Sequence, residues 1–144
     1  MHLLIVTQYY WPESFRINDV AQELVTRGHR VTVLTGMPNY PQGVRYQGYG
    51  IFKPCKENHH GVNILRIPMI ARGRKGHKGL FLNYLSFVIS ATTLGAWRCR
   101  GKHDAILVYA PSPITQVLPA MLLKSIKRIP LIFNVQDLWP ESVQ

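Results

Sequence analysis

His2-Leu3-Leu4-Ile5-Val6-Thr7 opens the chain, and Arg30-Val31-Thr32-Val33-Leu34-Thr35 matches it one helix later. Between the two, Ile17, Val20, Ala21, Leu24 and Val25 recur at helical spacing. Two short apolar runs separated by a one-sided apolar stripe predict strand, helix, strand. His2-Leu3-Leu4-Ile5-Val6-Thr7 is a short continuous apolar run, as expected of a strand buried on both faces. Gly28 falls where a helix ends in the left-handed conformation, and Ser14 or Asn18 stands where a side chain can cap its start. A strand joined through a helix to a parallel neighbour crosses over right-handed. The opening segment is therefore a βαβ unit, and the chain an α/β protein.

The same alternation continues. A loop rich in Pro, Gly and Tyr runs from Gly36 to Gly50, and Val62 to Ile67 forms a third strand. Leu80 to Trp97 is one long apolar helix, Ala105 to Tyr109 a fourth strand, Ile114 to Ile126 a helix and Leu131 to Val135 a fifth strand. This is a Rossmann-like, doubly wound parallel sheet, whose ligands gather beyond the carboxyl ends of the strands. Those ends are Tyr9 to Phe15, Gly36 to Tyr40, Pro68 to Arg72, Ala110 to Ile114 and Gln136 to Glu141. No covering helix follows the fifth strand before Gln144, so the chain is expected to be a truncated front part of something longer.

Composition bounds the rest. The 144 residues are 47% hydrophobic and 17% charged, which suits one globular domain over 1–144 and excludes collagen-like or wholly disordered chains. Cys55 and Cys99 are too few for a disulfide framework or a zinc site, and no basic leader precedes the first strand, so a reducing, cytoplasmic setting is expected. Ten of the 17 basic residues lie between Lys53 and Lys102 with one acid, Glu57, so that segment carries +9 of the formal +10. It is either a solvated basic face or the mark of an anionic partner: nucleic acid, a phosphorylated ligand or a membrane surface.

Several chemistries are missing. The loop after the first strand has no Gly-x-Gly-x-x-Gly, which argues against a dinucleotide oxidoreductase, and neither a phosphate-loop motif nor a Gly-x-Ser-x-Gly elbow occurs. Asp-x-Asp, which holds a nucleotide diphosphate through a metal, is absent. The six histidines lack ligand spacing, and His59-His60 should point its side chains apart, so neither a metal nor a cofactor is expected. No RNA- or DNA-binding motif accompanies the basic segment, which makes nucleic acid the weakest of the anionic partners.

The strand ends carry the candidates. Glu13 and Arg16 precede the first helix, where backbone N–H groups favour an anion; alternatively, they pair with each other at the helix start. In Pro111-Ser112-Pro113, Ser112 either caps the next helix or offers a hydroxyl to a ligand. Asn134, Gln136 and Asp137 end the fifth strand, and Asp137 is either a turn cap or a base for a substrate hydroxyl. Trp-Pro-Glu-Ser occurs twice after strands, at 11–14 and at 139–142, as similar turns or as two walls of one cleft.

The uncharged stretch Gly79 to Trp97 approaches the length of a membrane span, about 20 residues. Asn83, Ser86, Ser90, Thr92 and Thr93 interrupt it, and basic residues flank both ends: Arg72, Arg74, Lys75 and Lys78 before, Arg98, Arg100 and Lys102 after. A spanning helix carries its basic residues on one side. A helix lying in an anionic bilayer surface fits better, with Phe81, Tyr84, Phe87 and Trp97 as anchors; a plain core helix is the alternative.

Gln8-Tyr9-Tyr10-Trp11-Pro12-Glu13-Ser14-Phe15-Arg16-Ile17-Asn18, Arg27-Gly28-His29-Arg30-Val31-Thr32-Val33, Pro38-Asn39-Tyr40-Pro41, Pro111-Ser112-Pro113-Ile114 and Val135-Gln136-Asp137-Leu138-Trp139-Pro140-Glu141-Ser142 form an ordered series. The series resembles the amino-terminal domain of family 4 glycosyltransferases, and within them the bacterial fucosaminyltransferase-like and colanic-acid-type branch. The resemblance implies a GT-B architecture, two Rossmann-like domains facing across a cleft. The amino-terminal one meets the acceptor and the membrane; the other holds the nucleotide sugar through a Glu-x₇-Glu element. It implies retaining, metal-independent transfer from a nucleotide-sugar donor to a lipid-linked saccharide in surface polysaccharide assembly, at the inner face of the cell membrane.

Carried onto this chain, the resemblance makes Asp137 the catalytic candidate. Glu13 and Arg16 would face phosphate, and Asn39, Ser112, Gln136 and Glu141 would contact substrate. Arg72, Arg74, Lys75, Lys78 and Arg98 would meet the membrane with the aromatic anchors. Glu13-Ser14 stands where many members have Gly-Gly, and Gln136-Asp137 where many have His-Asp. The chain holds no Glu-x₇-Glu, so it is expected not to transfer sugar alone; a non-catalytic membrane- or partner-binding remnant is the alternative.

Overall fold

Residues 1–50, 56–73 and 76–136 are described by the structure, a computed structural model. The elements are β1 (His2–Val6), α1 (Arg16–Thr26), β2 (Arg30–Gly36), β3 (Lys56–His59), β4 (Val62–Ile67), α2 (His77–Ser90), a π-helical stretch (Ala91–Gly95), α3 (Ala96–Arg98), β5 (Ala105–Ala110), a 3₁₀ turn (Ile114–Gln116), α4 (Val117–Lys127) and β6 (Leu131–Val135). One sheet takes the order β3-β4-β2-β1-β5-β6. Leu4 of β1 stands opposite Thr32 of β2 and Ile106 of β5, both parallel. The winding therefore reverses at β1, and a doubly wound sheet opens its crevice at that reversal.

Side chains alternate between the faces of the sheet, and each face has its own core. Leu4, Val6, Leu34, Leu65, Ile67, Ile106 and Val108 pack under Phe87, Ala91, Ala120 and Leu123. On the other face Ile5, Val31, Val33, Ile64 and Tyr109 pack against Ile17 and Ala21 of α1. Each such buried aliphatic or aromatic side chain stabilises by about 1.5–3 kcal/mol relative to exposure. At Gly95 a Cβ would come 2.8 Å from Leu34 Cδ2, so the bare glycine lets the π-helical stretch rest on β2.

The five parallel strands and the α/β class are as expected, and Gly28 ends α1 at φ 85°. Four local expectations are corrected. A sixth strand, β3, runs antiparallel to β4 through a two-residue turn in which His60 (φ 48°) and Gly61 (φ 80°) are both left-handed. Lys56-Glu57-Asn58-His59 shows no apolar pattern because an edge strand buries little, while the turn is of the kind whose twist suits a hairpin. At that turn the His59 and His60 rings meet edge-on, centroids 4.2 Å apart, instead of diverging. Neither Ser14 nor Asn18 caps α1, whose N-cap is Phe15: the Asn18 side chain bridges Trp11 N (3.1 Å) and the Glu13 carbonyl (2.7 Å) instead. Ser112 caps nothing; its carbonyl accepts from Gln116 Nε2 at 3.0 Å.

Candidate functional site

Three loops meet at the carboxyl ends of β1, β2 and β4, and one buried carboxylate joins the first two. Glu13 is 1% exposed; its Oε1 accepts the backbone N–H groups of Asn39 (2.8 Å) and Tyr40 (2.7 Å), its Oε2 that of Tyr10 (3.2 Å). Burial raises its pKa to about 7, opposed by the three N–H donors and by Arg66. Both oxygens are thus spent on backbone. Asn39, also 1% exposed, donates Nδ2 to the Met37 carbonyl (3.0 Å) and accepts Arg72 N on Oδ1 (3.1 Å).

The third loop follows from the second. Arg72, its backbone held by Asn39, places its guanidinium 5.3 Å from the centroid of the Tyr40 ring, a cation–π distance. The Tyr40 carbonyl accepts the Tyr46 hydroxyl at 2.7 Å, and the Tyr40 ring tilts against Phe15 (5.1 Å) and Tyr9 (5.6 Å). Tyr40, Pro41, Arg72, Gly73, Gly76, His77 and Leu80 line a cleft of about 390 Å³ beside the start of α2. The first-turn N–H groups of a helix and a guanidinium both favour an anion there.

A polar seam closes the floor where the winding reverses. Gln8 N donates to Gln116 Oε1 (2.7 Å), Gln8 Nε2 to Asn83 Oδ1 (2.6 Å), and Tyr9 OH to the same oxygen (3.3 Å). Asn83 Nδ2 passes the chain on to the Ile70 carbonyl (2.5 Å). Gln8, Asn83 and Gln116 are fully buried, so β1, α2 and the start of α4 are held together by partners that water cannot replace. On the other flank, fully buried Arg66 donates to Glu57 (2.6 and 3.2 Å), to the Gly36 carbonyl (3.1 Å) and to the Trp11 carbonyl.

The expected ligand contacts are corrected at two residues. Glu13 and Asn39 face the protein, not a cleft, and act by holding loops. Arg16 and Ser112 are exposed, and no Glu13–Arg16 pair forms among the described residues. Gln136 is exposed and donates to Asn134 Oδ1. Asp137, Glu141, Arg74, Lys75 and the second Trp-Pro-Glu-Ser lie outside the described residues. Sequence reading missed Tyr40, Gln8, Gln116 and Arg66 as site-builders. Arg66 had a signal, a charge inside an apolar strand, and so did Asn83, an amide inside an apolar helix.

The helical stretch His77–Arg98 covers 22 residues and is long and apolar enough, by composition, to cross a bilayer. One side of it is packed on the sheet through Asn83, Phe87, Ala91 and Gly95. Phe87 is 0% exposed, so it is a core residue and not a membrane anchor. Tyr84 is half-buried, whereas Phe81 (64%), Leu82, Leu85, Ile89 and Trp97 (57%) form an exposed outer row with Lys78. Arg98 is half-buried and donates to the Arg66 carbonyl.

The profile of the Glycosyl transferase 4-like domain family matches residues 14–144. No curated protein matches the chain significantly.

Proposed function

Since the chain belongs to the glycosyl transferase 4-like domain family, we propose that it forms the acceptor- and membrane-facing half of a glycosyltransferase. The observation that carries this reading is an adjacency: the Arg72–His77 cleft opens beside the first turn of the helix whose outer row is apolar. A lipid-linked saccharide needs both features, since its diphosphate seeks a fixed cation and its lipid tail stays in the bilayer. A nucleotide sugar would be held by the facing domain of a GT-B pair, and transfer would be retaining and metal-independent. Substrates of the fucosaminyltransferase-like or colanic-acid type, used in surface polysaccharide assembly at the inner face of the cell membrane, suit the basic segment.

In this site Arg72 binds the acceptor diphosphate. Tyr40 orients Arg72, and Glu13 fixes Tyr40. Asp137, Gln136 and Glu141, which follow β6 in the sequence, are proposed to meet the reacting hydroxyl, with Arg16 and Ser112 as further substrate contacts. Arg74, Lys75, Lys78 and Arg98 would meet anionic headgroups. The test is sedimentation of the chain with anionic vesicles, with and without polyprenyl diphosphate. The expected result is salt-sensitive binding that strengthens with the diphosphate lipid and loses that increment in Arg72→Gln. Equal binding to both vesicle types would overturn the acceptor assignment.

A further inference from the structure

A second hollow, of about 290 Å³, lies at the opposite, amino-terminal end of the sheet. His2 begins β1, and Thr32 stands beside Asn63 in the β2–β4 register; these three side chains floor it on the face covered by α2. Arg98, Cys99, Gly101 and His103, from α3 and the turn after it, form a wall, and Lys56 of the β3 edge stands at the rim. The His2 and His103 rings approach to 4.3 Å, and His2 Nε2 lies 2.9 Å from Thr32 Oγ1.

Two buried polar atoms here have no partner among the described residues: Arg98 Nε and His103 Nδ1, the latter on a residue only 8% exposed. Native proteins rarely bury such groups unpaired. Arg98 is held in place because another of its nitrogens donates to the Arg66 carbonyl. The charges are one-sided. Arg98 and Lys56 line the hollow, and Arg30 of β2 and Lys127 of α4 lie beside the imidazoles. Of the acids, Glu57, which also lines the hollow, is paired with Arg66, and Asp104, which accepts the His2 backbone N–H at 2.6 Å, leaves one negative charge against those four positive ones. A water molecule would satisfy a stray N–H but would leave the surplus charge.

We propose that this hollow binds a phosphoryl oxyanion, held by Arg98 Nε, Lys56 Nζ and His103 Nδ1, at a site separate from the Arg72 cleft. The anion is carried either by a small soluble molecule or by a lipid headgroup, since Arg98 adjoins exposed Trp97 at the trailing end of the apolar row. Burial, His2 and Lys127 lower the His103 pKa to about 4 against the Gly101 backbone and Asp104, which raise it, so an empty hollow holds that ring neutral. A bound anion reverses the balance and draws a proton onto it.

The test is a titration of the full chain with inorganic phosphate, following the His2 and His103 ring resonances by NMR, with chloride at matched ionic strength as control. In a second arm, phosphatidylglycerol vesicles replace phosphate. The expected result is saturable shifts of both rings, a raised His103 pKa, binding that tightens as pH falls, and weakening of about tenfold in Lys56→Gln, the loss of one charge-assisted bond. Lys56 is exposed on an edge strand, so its replacement leaves the fold intact, whereas Arg98→Gln also disturbs the bond to the Arg66 carbonyl. Response to phosphate assigns a soluble ligand, and response to vesicles alone assigns a headgroup. Shifts that chloride reproduces, that Lys56→Gln leaves unchanged, or that neither arm elicits overturn the site.

Discussion

Glu13 Oε1 lies 2.7 Å from the backbone nitrogen of Tyr40, across 27 residues of sequence, and this contact fixes the loop that carries the cleft. Tyr40 in turn lies under the Arg72 guanidinium. A carboxylate whose two oxygens are both taken by backbone thus determines where the cleft cation stands.

Burial of that carboxylate makes stability depend on pH in a definite direction. Burial raises the Glu13 pKa from its ordinary 4.5 to about 7, so the folded chain holds the proton more tightly than the unfolded one. The stabilising contribution is full below about pH 4.5 and is lost as pH rises through about 7, a change on the order of 3 kcal/mol. Glu13→Gln removes this slope, although one hydrogen-bond mismatch with the Tyr10 N–H lowers its stability by about 1–3 kcal/mol. Urea midpoints for both proteins at acidic and alkaline pH check it. A difference between them that does not shrink toward alkaline pH would mean that Glu13 is ionised throughout.

Arg66→Met should destabilise the chain by about 3 kcal/mol, because it orphans the Gly36 and Trp11 carbonyls and breaks a buried ion pair. Glu57→Gln should cost less, about 1 kcal/mol, since the Glu57 side chain is 27% exposed and its replacement still accepts from Arg66. Chemical denaturation of the two variants decides it; equal losses would place the energy in the pair itself and not in the carbonyls.

Asn83→Leu should cost about 2 kcal/mol or more even though leucine suits the surrounding helix better. The substitution leaves Gln8 Nε2 and the Ile70 carbonyl without their short bonds in a site closed to water. Asn83→Asp keeps the acceptor but buries a charge, and should be worse. Thermal melts rank the pair, and a neutral Asn83→Leu would show that the seam contributes nothing to stability.

The fold was legible because its signals are local. Periodicity placed all five parallel strands, and Gly28 marked the end of α1 at its left-handed position. Strand β3 was not legible, because an edge strand of Lys, Glu, Asn and His buries almost nothing that a hydropathy pattern can register. The site was half legible. Topology points to the strand ends, but whether Glu13 faces a ligand or a backbone N–H depends on contacts between loops far apart in sequence, which no local pattern encodes. The same limit applies to Phe87: an apolar helix announces that it buries something, and only the crossing over the sheet decides which side.

Phe81, Trp97 and Phe87 test that side directly. Phe81→Ser and Trp97→Ser lie on the exposed row, so each should leave the melting temperature nearly unchanged and weaken binding to anionic vesicles by about tenfold or more, the loss of one partly inserted aromatic ring. Phe87→Ala lies between α2 and the sheet and should cost about 3–5 kcal/mol of stability, with vesicle binding altered only through loss of fold. Melting curves and vesicle sedimentation on the three variants separate the two faces. If Phe81→Ser and Trp97→Ser bind vesicles as tightly as the parent chain, the exposed row does not insert, and the +9 segment must act through charge alone.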